Sequence, residues 1–149
     1  MRRRALLAAP IAVAAQEGLV LQGTAARRYL GFRVYEAQLF LPRRVATAAE
    51  AADPCEIRVR YVRAVALEDV RRAWGASLPG LDPRFDAWLR PIAVDDEERY
   101  GFSAAGAQLL GPGRAAALVP AGPAAQALRA AWLGPQAPAA LLRGWFPSA

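Results

Sequence analysis

The stretch GTAARRYLGFRVYEAQLFLP, Gly23–Pro42, decides how the chain is read. Its opening Gly-Thr-Ala-Ala-Arg, Gly23–Arg27, reads as a compact turn that follows the start of a first strand at Leu19–Gln22. Tyr29-Leu30-Gly31 reads as a second turn, because glycine accepts the positive φ that tight reversals need. Phe32–Leu41 then alternates as a strand. Tyr35, Ala37, Leu39 and Leu41 lie on one face; Phe32, Val34, Glu36, Gln38 and Phe40 lie on the other. Both faces are partly apolar, which suits a sheet covered on one side and lining a cleft on the other. Pro42 ends the strand. The stretch is therefore a β-hairpin, with Arg27 placed where a small anion could be held.

Arg27 and Tyr35 are symmetric about Gly31. A three-residue loop, Leu30 to Phe32, sets them directly across from each other. A two-residue loop shifts the register by one and puts Tyr35 opposite Ala26. If the two side chains converge, a guanidinium and a phenol grip one carboxylate by charge-assisted hydrogen bonds. The plainer alternative is a surface arginine beside a core tyrosine.

On the N-terminal side, Met1 to Ala15 reads MRRRALLAAPIAVAA. Three arginines precede a short apolar run and then small residues, the layout of a secretory signal peptide. Residues 1–15 are expected to be such a leader and 16–149 one domain, exported to the periplasm or secreted. The apolar run is too short for a permanent membrane anchor.

On the C-terminal side, Thr47 to Ala52 is expected to be a short Ala-rich helix, barred at Pro54. CEIRVRYVRAV, from Cys55, is a third strand with Ile57, Val59 and Tyr61 to one side and Arg58 and Arg60 to a solvated side. Leu67, Val70, Trp74 and Leu78 have helical spacing. Asp82 can cap a following helix with Pro83 at its first position. The acidic run Asp95–Glu98 is expected to be a solvated loop, since consecutive carboxylates diverge and do not build a metal site. Tyr100 to Ala104, Ala107 to Leu110 and Arg114 to Val119 form a meander with tight turns. A helix from Pro123, with Leu128 and Trp132 on one face, closes at Gly134-Pro135. Trp74, Trp88, Trp132 and Trp145 are expected in the core. Strands, helices, strands and a helix in that order define an α+β fold with a large, mostly antiparallel sheet.

Composition narrows the function. The 149 residues are 55% hydrophobic and 21% charged, a globular composition. Net charge is +6 from 19 basic and 13 acidic residues, and every basic residue is arginine. There is no basic stripe or known motif to mark a nucleic-acid partner. The absence of histidine removes the commonest general base, the Ser-His-Asp triad and imidazole metal ligands. The single cysteine, Cys55, reads as a small buried residue at a strand start. Neither a metal nor a cofactor is expected, and nothing in the sequence sets an oligomeric state.

Three pieces together resemble the chalcone isomerase fold, above all its bacterial exported branch. They are the Gly23–Arg27 turn before Val34-Tyr35 and Leu39-Phe40-Leu41-Pro42, the strand IRVRYVR (57–63) before an amphipathic helix, and GPAAQALRAAWLG (122–134). In order, they cover most of residues 19–144. The resemblance implies an open-faced sandwich, with helices on one face of the sheet and a cleft between the layers. In the plant enzymes of that family the turn arginine steers an anionic oxygen, and hydroxyls from Thr, Tyr and Asn complete the site. In the fatty-acid-binding members an Arg and a Tyr hold an acyl carboxylate. Arg27 matches the turn arginine, and Tyr35 falls where the plant enzymes have threonine and the fatty-acid binders tyrosine. The catalytic Tyr and Asn have no match between Trp74 and Asp86, and residues 124–134 contain no hydroxyl. The resemblance thus implies a non-catalytic envelope protein binding a small apolar carboxylate through Arg27 and Tyr35. The alternatives are an isomerase or lyase of flavonoid-like compounds, and an interaction module whose cleft is filled by side chains.

Overall fold

The structure, a computed structural model, describes residues 18–147 except residue 79. The leader expected at residues 1–15 lies outside the described residues. Six strands form one sheet in chain order: β1 (Val20–Tyr29), β2 (Phe32–Leu41), β3 (Cys55–Tyr61), β4 (Glu97–Ser103), β5 (Gly106–Leu110) and β6 (Ala117–Pro120). Every neighbouring pair is antiparallel. Four helices, α1 (Leu67–Ser77), α2 (Pro83–Trp88), α3 (Pro123–Leu133) and α4 (Ala139–Trp145), complete an α+β open-faced sandwich. Among the described residues no helix is long and apolar enough to cross a membrane.

The two faces of the sheet follow from the period of two along each strand. Ala37, Leu39 and Leu41 of β2, Cys55, Ile57, Val59 and Tyr61 of β3, Tyr100 and Phe102 of β4, and Ala107 and Leu109 of β5 are all buried on the helix side. The opposite face carries Arg58, Arg60 and Arg99, bound to Glu36 and Glu56. Cys55 opens β3 as a buried free thiol, as its sequence context implied.

Local signals place the helices well. The Asp82 side chain accepts from the Arg84 backbone N–H at 2.8 Å, and Pro83 takes the first position of α2. The Arg84 side chain and backbone N–H hold the Asp82 carboxyl down at about 2. Pro123 opens α3 after Gly122, and Leu128 and Trp132 are buried together. Trp88, Trp132 and Trp145 are core residues, and Trp74 packs half-buried against them.

Four expectations are corrected. Gly23–Arg27 is not a turn: β1 runs unbroken through it. Its small residues serve a close approach, because α4 crosses directly over the strand. A Cβ on Gly23 would stand 3.1 Å from the Gly144 carbonyl oxygen and the Trp145 Cα, and a Cβ on Gly144 would overlap Ala25. Just before it, Gln22 is an extra residue in the ladder, between the Leu21↔Phe40 and Gly23↔Leu39 pairs. Its buried amide donates to the Val45 and Trp145 carbonyls at 3.0 and 2.8 Å and accepts from the Val45 N–H at 2.9 Å. The expected helix at Thr47 to Ala52 is only a 3₁₀ turn, Ala48–Glu50, with the Glu50 carboxylate folded back on the Thr47 N–H at 3.0 Å. The acidic run is not wholly a solvated loop: Glu97 and Glu98 begin β4, and Glu98 is 2% exposed. β6 starts at Ala117, leaving Arg114 in the preceding loop.

Candidate functional site

The β1–β2 hairpin brings Arg27 and Tyr35 directly opposite each other. It does so by an unexpected route. The loop has two residues, Leu30 and Gly31, both at positive φ (52° and 83°), as a type I′ reversal requires. Such a loop alone would pair Tyr35 with Ala26. Val34 is an extra residue between the Arg28↔Arg33 and Arg27↔Tyr35 pairs, and it restores the register. The bulge also puts Arg33 and Glu36 on one face although they are three apart, and they form an ion pair at 2.7 Å. It also turns Phe32, expected beside Val34 and Glu36, to the face of its partner Tyr29, where the Arg63 guanidinium sits 4.5 Å above its ring.

Arg27 is half-buried, and its guanidinium makes one long contact, 3.5 Å, to the Arg28 carbonyl. Among the described residues no carboxylate pairs with it. The Tyr35 ring stands edge-on to Tyr61 (5.6 Å between centroids) and Trp132 (6.1 Å). Burial raises the Tyr35 pKa above its ordinary value, against the pull of Arg27 and with a push from Glu98. The phenol therefore stays protonated and can donate. Arg27 and Tyr35 are a pair of donors near the hairpin end of the β1–β2 ladder, on the side that faces the helices.

Deeper in that layer lies a polar cluster that sequence reasoning missed. Glu98 Oε1 accepts from the Tyr61 and Tyr100 hydroxyls at 3.0 and 2.9 Å. Its Oε2 accepts from Arg114 Nη2, and the two side chains are each 3% exposed. Arg114 Nη1 donates to the Trp88 carbonyl at 2.7 Å, and the guanidinium lies 3.8 Å from the Trp88 ring centroid. The signal was present: Glu98 is in step with Tyr100 and Phe102, on the inward phase of β4. Around the cluster the rings of Trp74, Phe85, Trp88, Tyr100 and Trp132 pack at centroid distances of 4.8 to 5.9 Å. Among the described residues, the buried indole N–H groups of Trp88 and Trp132 and Nε of Arg114 find no hydrogen-bond partner. A cavity of about 580 Å³ opens on the far side of this layer, between α1, α2, β6 and α3, and is walled by Leu78, Leu81, Phe85, Val119 and Leu128. Neither Arg27 nor Tyr35 lines it.

Alkaline titration tests the aromatic layer. Burial first, then Glu98, raises the Tyr61 and Tyr100 pKa values well above 10.0. A phenol that keeps its proton in the folded chain but loses it in the unfolded one costs stability only above the unfolded value. Stability is thus unaffected by these groups below about pH 9 and falls above about pH 10. The Cys55 thiol, raised to about 12 chiefly by burial, acts in the same direction. The phenolate absorbance of Tyr35, Tyr61 and Tyr100 should therefore appear only together with loss of the near-ultraviolet circular dichroism. Titration of all three in a protein that stays folded would contradict the assigned packing.

The chain matches no protein-family model and no curated protein.

Proposed function

We propose that the chain is a non-catalytic, chalcone isomerase-like protein of the cell envelope that holds a small apolar anion of the fatty-acid type. The observation that carries this is the cross-strand pairing of Arg27 with Tyr35. One supplies a fixed positive charge without a carboxylate partner among the described residues, the other a protonated hydroxyl. Together they suit a carboxylate head group. The Tyr35 ring packs edge-on against Tyr61 and Trp132, which puts apolar surface beside the pair. Envelope placement is supported by the leader-like sequence of residues 1–15.

The test is equilibrium binding of a fluorescent fatty acid to delipidated protein. Arg27→Ala is expected to weaken binding by about tenfold or more, since a hydrogen bond to a charged group contributes about 1.5–3 kcal/mol. Tyr35→Phe should weaken it less and leave the melting temperature nearly unchanged. Absence of binding by the wild type would end this proposal.

A second reading, an interaction module, is favoured by the Glu98 cluster. There the protein's own carboxylate takes the arginine and two tyrosine hydroxyls that a bound acid would seek. Recovery of a stable protein partner from the envelope fraction, with no fatty-acid binding, would favour it. The isomerase reading is decided by whether a chalcone loses its visible absorbance with the protein faster than without it. The Tyr61 and Tyr100 hydroxyls, both engaged by Glu98, argue for the background rate.

A further inference from the structure

The tip of the β1–β2 hairpin is apolar where solvent reaches it most. Tyr29, Leu30 and Phe32 are 66%, 79% and 57% exposed. Leu30 occupies the first central position of the two-residue loop at φ 52°, a conformation that asparagine, aspartate or glycine adopts more readily than leucine. A branched aliphatic side chain thus stands at the apex of a loop whose backbone does not ask for one. Strain of this kind points to a use for the side chain.

The tip is collared by cations. Arg28 and Arg33 face each other across the strands just behind it, and Arg63 lies over the Phe32 ring. Within residues 27–36 the one carboxylate is Glu36, already bound to Arg33 and, at 3.4 Å, to Arg60. Aromatic rings and an aliphatic apex backed by guanidinium groups match the boundary between lipid head groups and acyl chains, where rings settle and cations meet phosphate. The tip is also convex and narrow. A fluid anionic surface accommodates that shape without a complementary pocket.

We propose that the β1–β2 tip docks the protein onto an anionic lipid surface. Tyr29, Leu30 and Phe32 enter the head-group boundary, and Arg28 and Arg63 meet the phosphates. Neither Arg27 nor Tyr35 takes part, so the docking stands apart from ligand holding. It would nonetheless set that pair close to the lipid.

Co-sedimentation of the purified protein with phosphatidylcholine vesicles, with and without phosphatidylglycerol, tests it. Binding is expected on the anionic vesicles, weakening as salt is raised, and little on the neutral ones. Leu30→Asn keeps a residue suited to the loop, so it should melt no lower than the wild type. It should nevertheless bind the anionic vesicles about fivefold to tenfold more weakly. Arg28→Gln should weaken binding about fivefold, the effect of one basic residue near an anionic surface. Wild-type protein left in the supernatant, equal binding to both vesicle types, or Leu30→Asn binding like the wild type would overturn the proposal. A lipid-free dimer that Leu30→Asn dissolves would instead assign the tip to a second copy of the chain, and would also overturn it.

Discussion

Arg114→Ala is expected to lower the melting temperature by about 10–20 °C, the shift that a loss of about 3–5 kcal/mol produces in a domain of this size. The reason is the state in which it leaves Glu98. That carboxylate is 2% exposed and keeps only the Tyr61 and Tyr100 hydroxyls once the guanidinium is gone. A buried charge without its counter-ion costs far more than the intact pair contributes. Arg114 also ties its loop to the Trp88 carbonyl and covers the indole face, so alanine loses packing as well. Arg114→Lys should fall between the two, because an ammonium cannot reach both acceptors in the fixed fork of a guanidinium. A double-mutant cycle with Glu98→Gln and Arg114→Met isolates the pair. The double variant should lose at least about 1 kcal/mol less than the two single losses combined. Additive losses, within about 0.5 kcal/mol, would show that the two side chains do not depend on each other.

Trp132→Ala should cost a similar amount, about 3–5 kcal/mol, for an apolar reason. The indole is 4% exposed and stands at the centre of the layer, against Tyr35, Trp74, Tyr100 and Trp145. Its removal opens a cavity bounded by the sheet on one side and by α1 and α4 on the other, and rigid aromatic neighbours cannot collapse into it. Chemical denaturation should show a lower midpoint, and the near-ultraviolet circular dichroism should change shape. Trp132→Phe should lose much less. The indole N–H has no partner among the described residues, so that exchange removes volume but no hydrogen bond seen there. A Trp132→Phe variant as unstable as Trp132→Ala would mean that the N–H is bound after all.

Both results depend on features whose legibility in the sequence differed. Trp132 was readable as core, because Leu128 and Trp132 repeat at helical spacing between Gly122 and Gly134. Arg114 was not, because nothing near it in the chain explains its burial: Glu98 lies 16 residues away and the Trp88 carbonyl 26. Glu98 itself was read with its acidic neighbours as solvated, since composition outweighed its inward phase. The Arg27–Tyr35 pairing was expected from a three-residue loop and arises from a two-residue loop with a bulge at Val34. One extra residue in the loop and one in the strand shift the register equally, so the symmetry about Gly31 could not separate them.

The sequence by itself determined the elements whose causes lie within a few residues. Phe32–Leu41 is a strand by alternation, α2 starts where Asp82 and Pro83 cap it, and β3 opens on a buried Cys55. From those, the α+β class follows. Only the tertiary structure decided that Gly23–Arg27 extends as strand, that Gln22 and Val34 bulge, and that Glu98 and Arg114 share the interior. The physical reason is one of range. Caps and alternation are satisfied by neighbours in the chain. A glycine drawn extended by the Gly144–Trp145 backbone, or a charge buried beside its counter-ion, is stable only after folding has brought distant partners into contact.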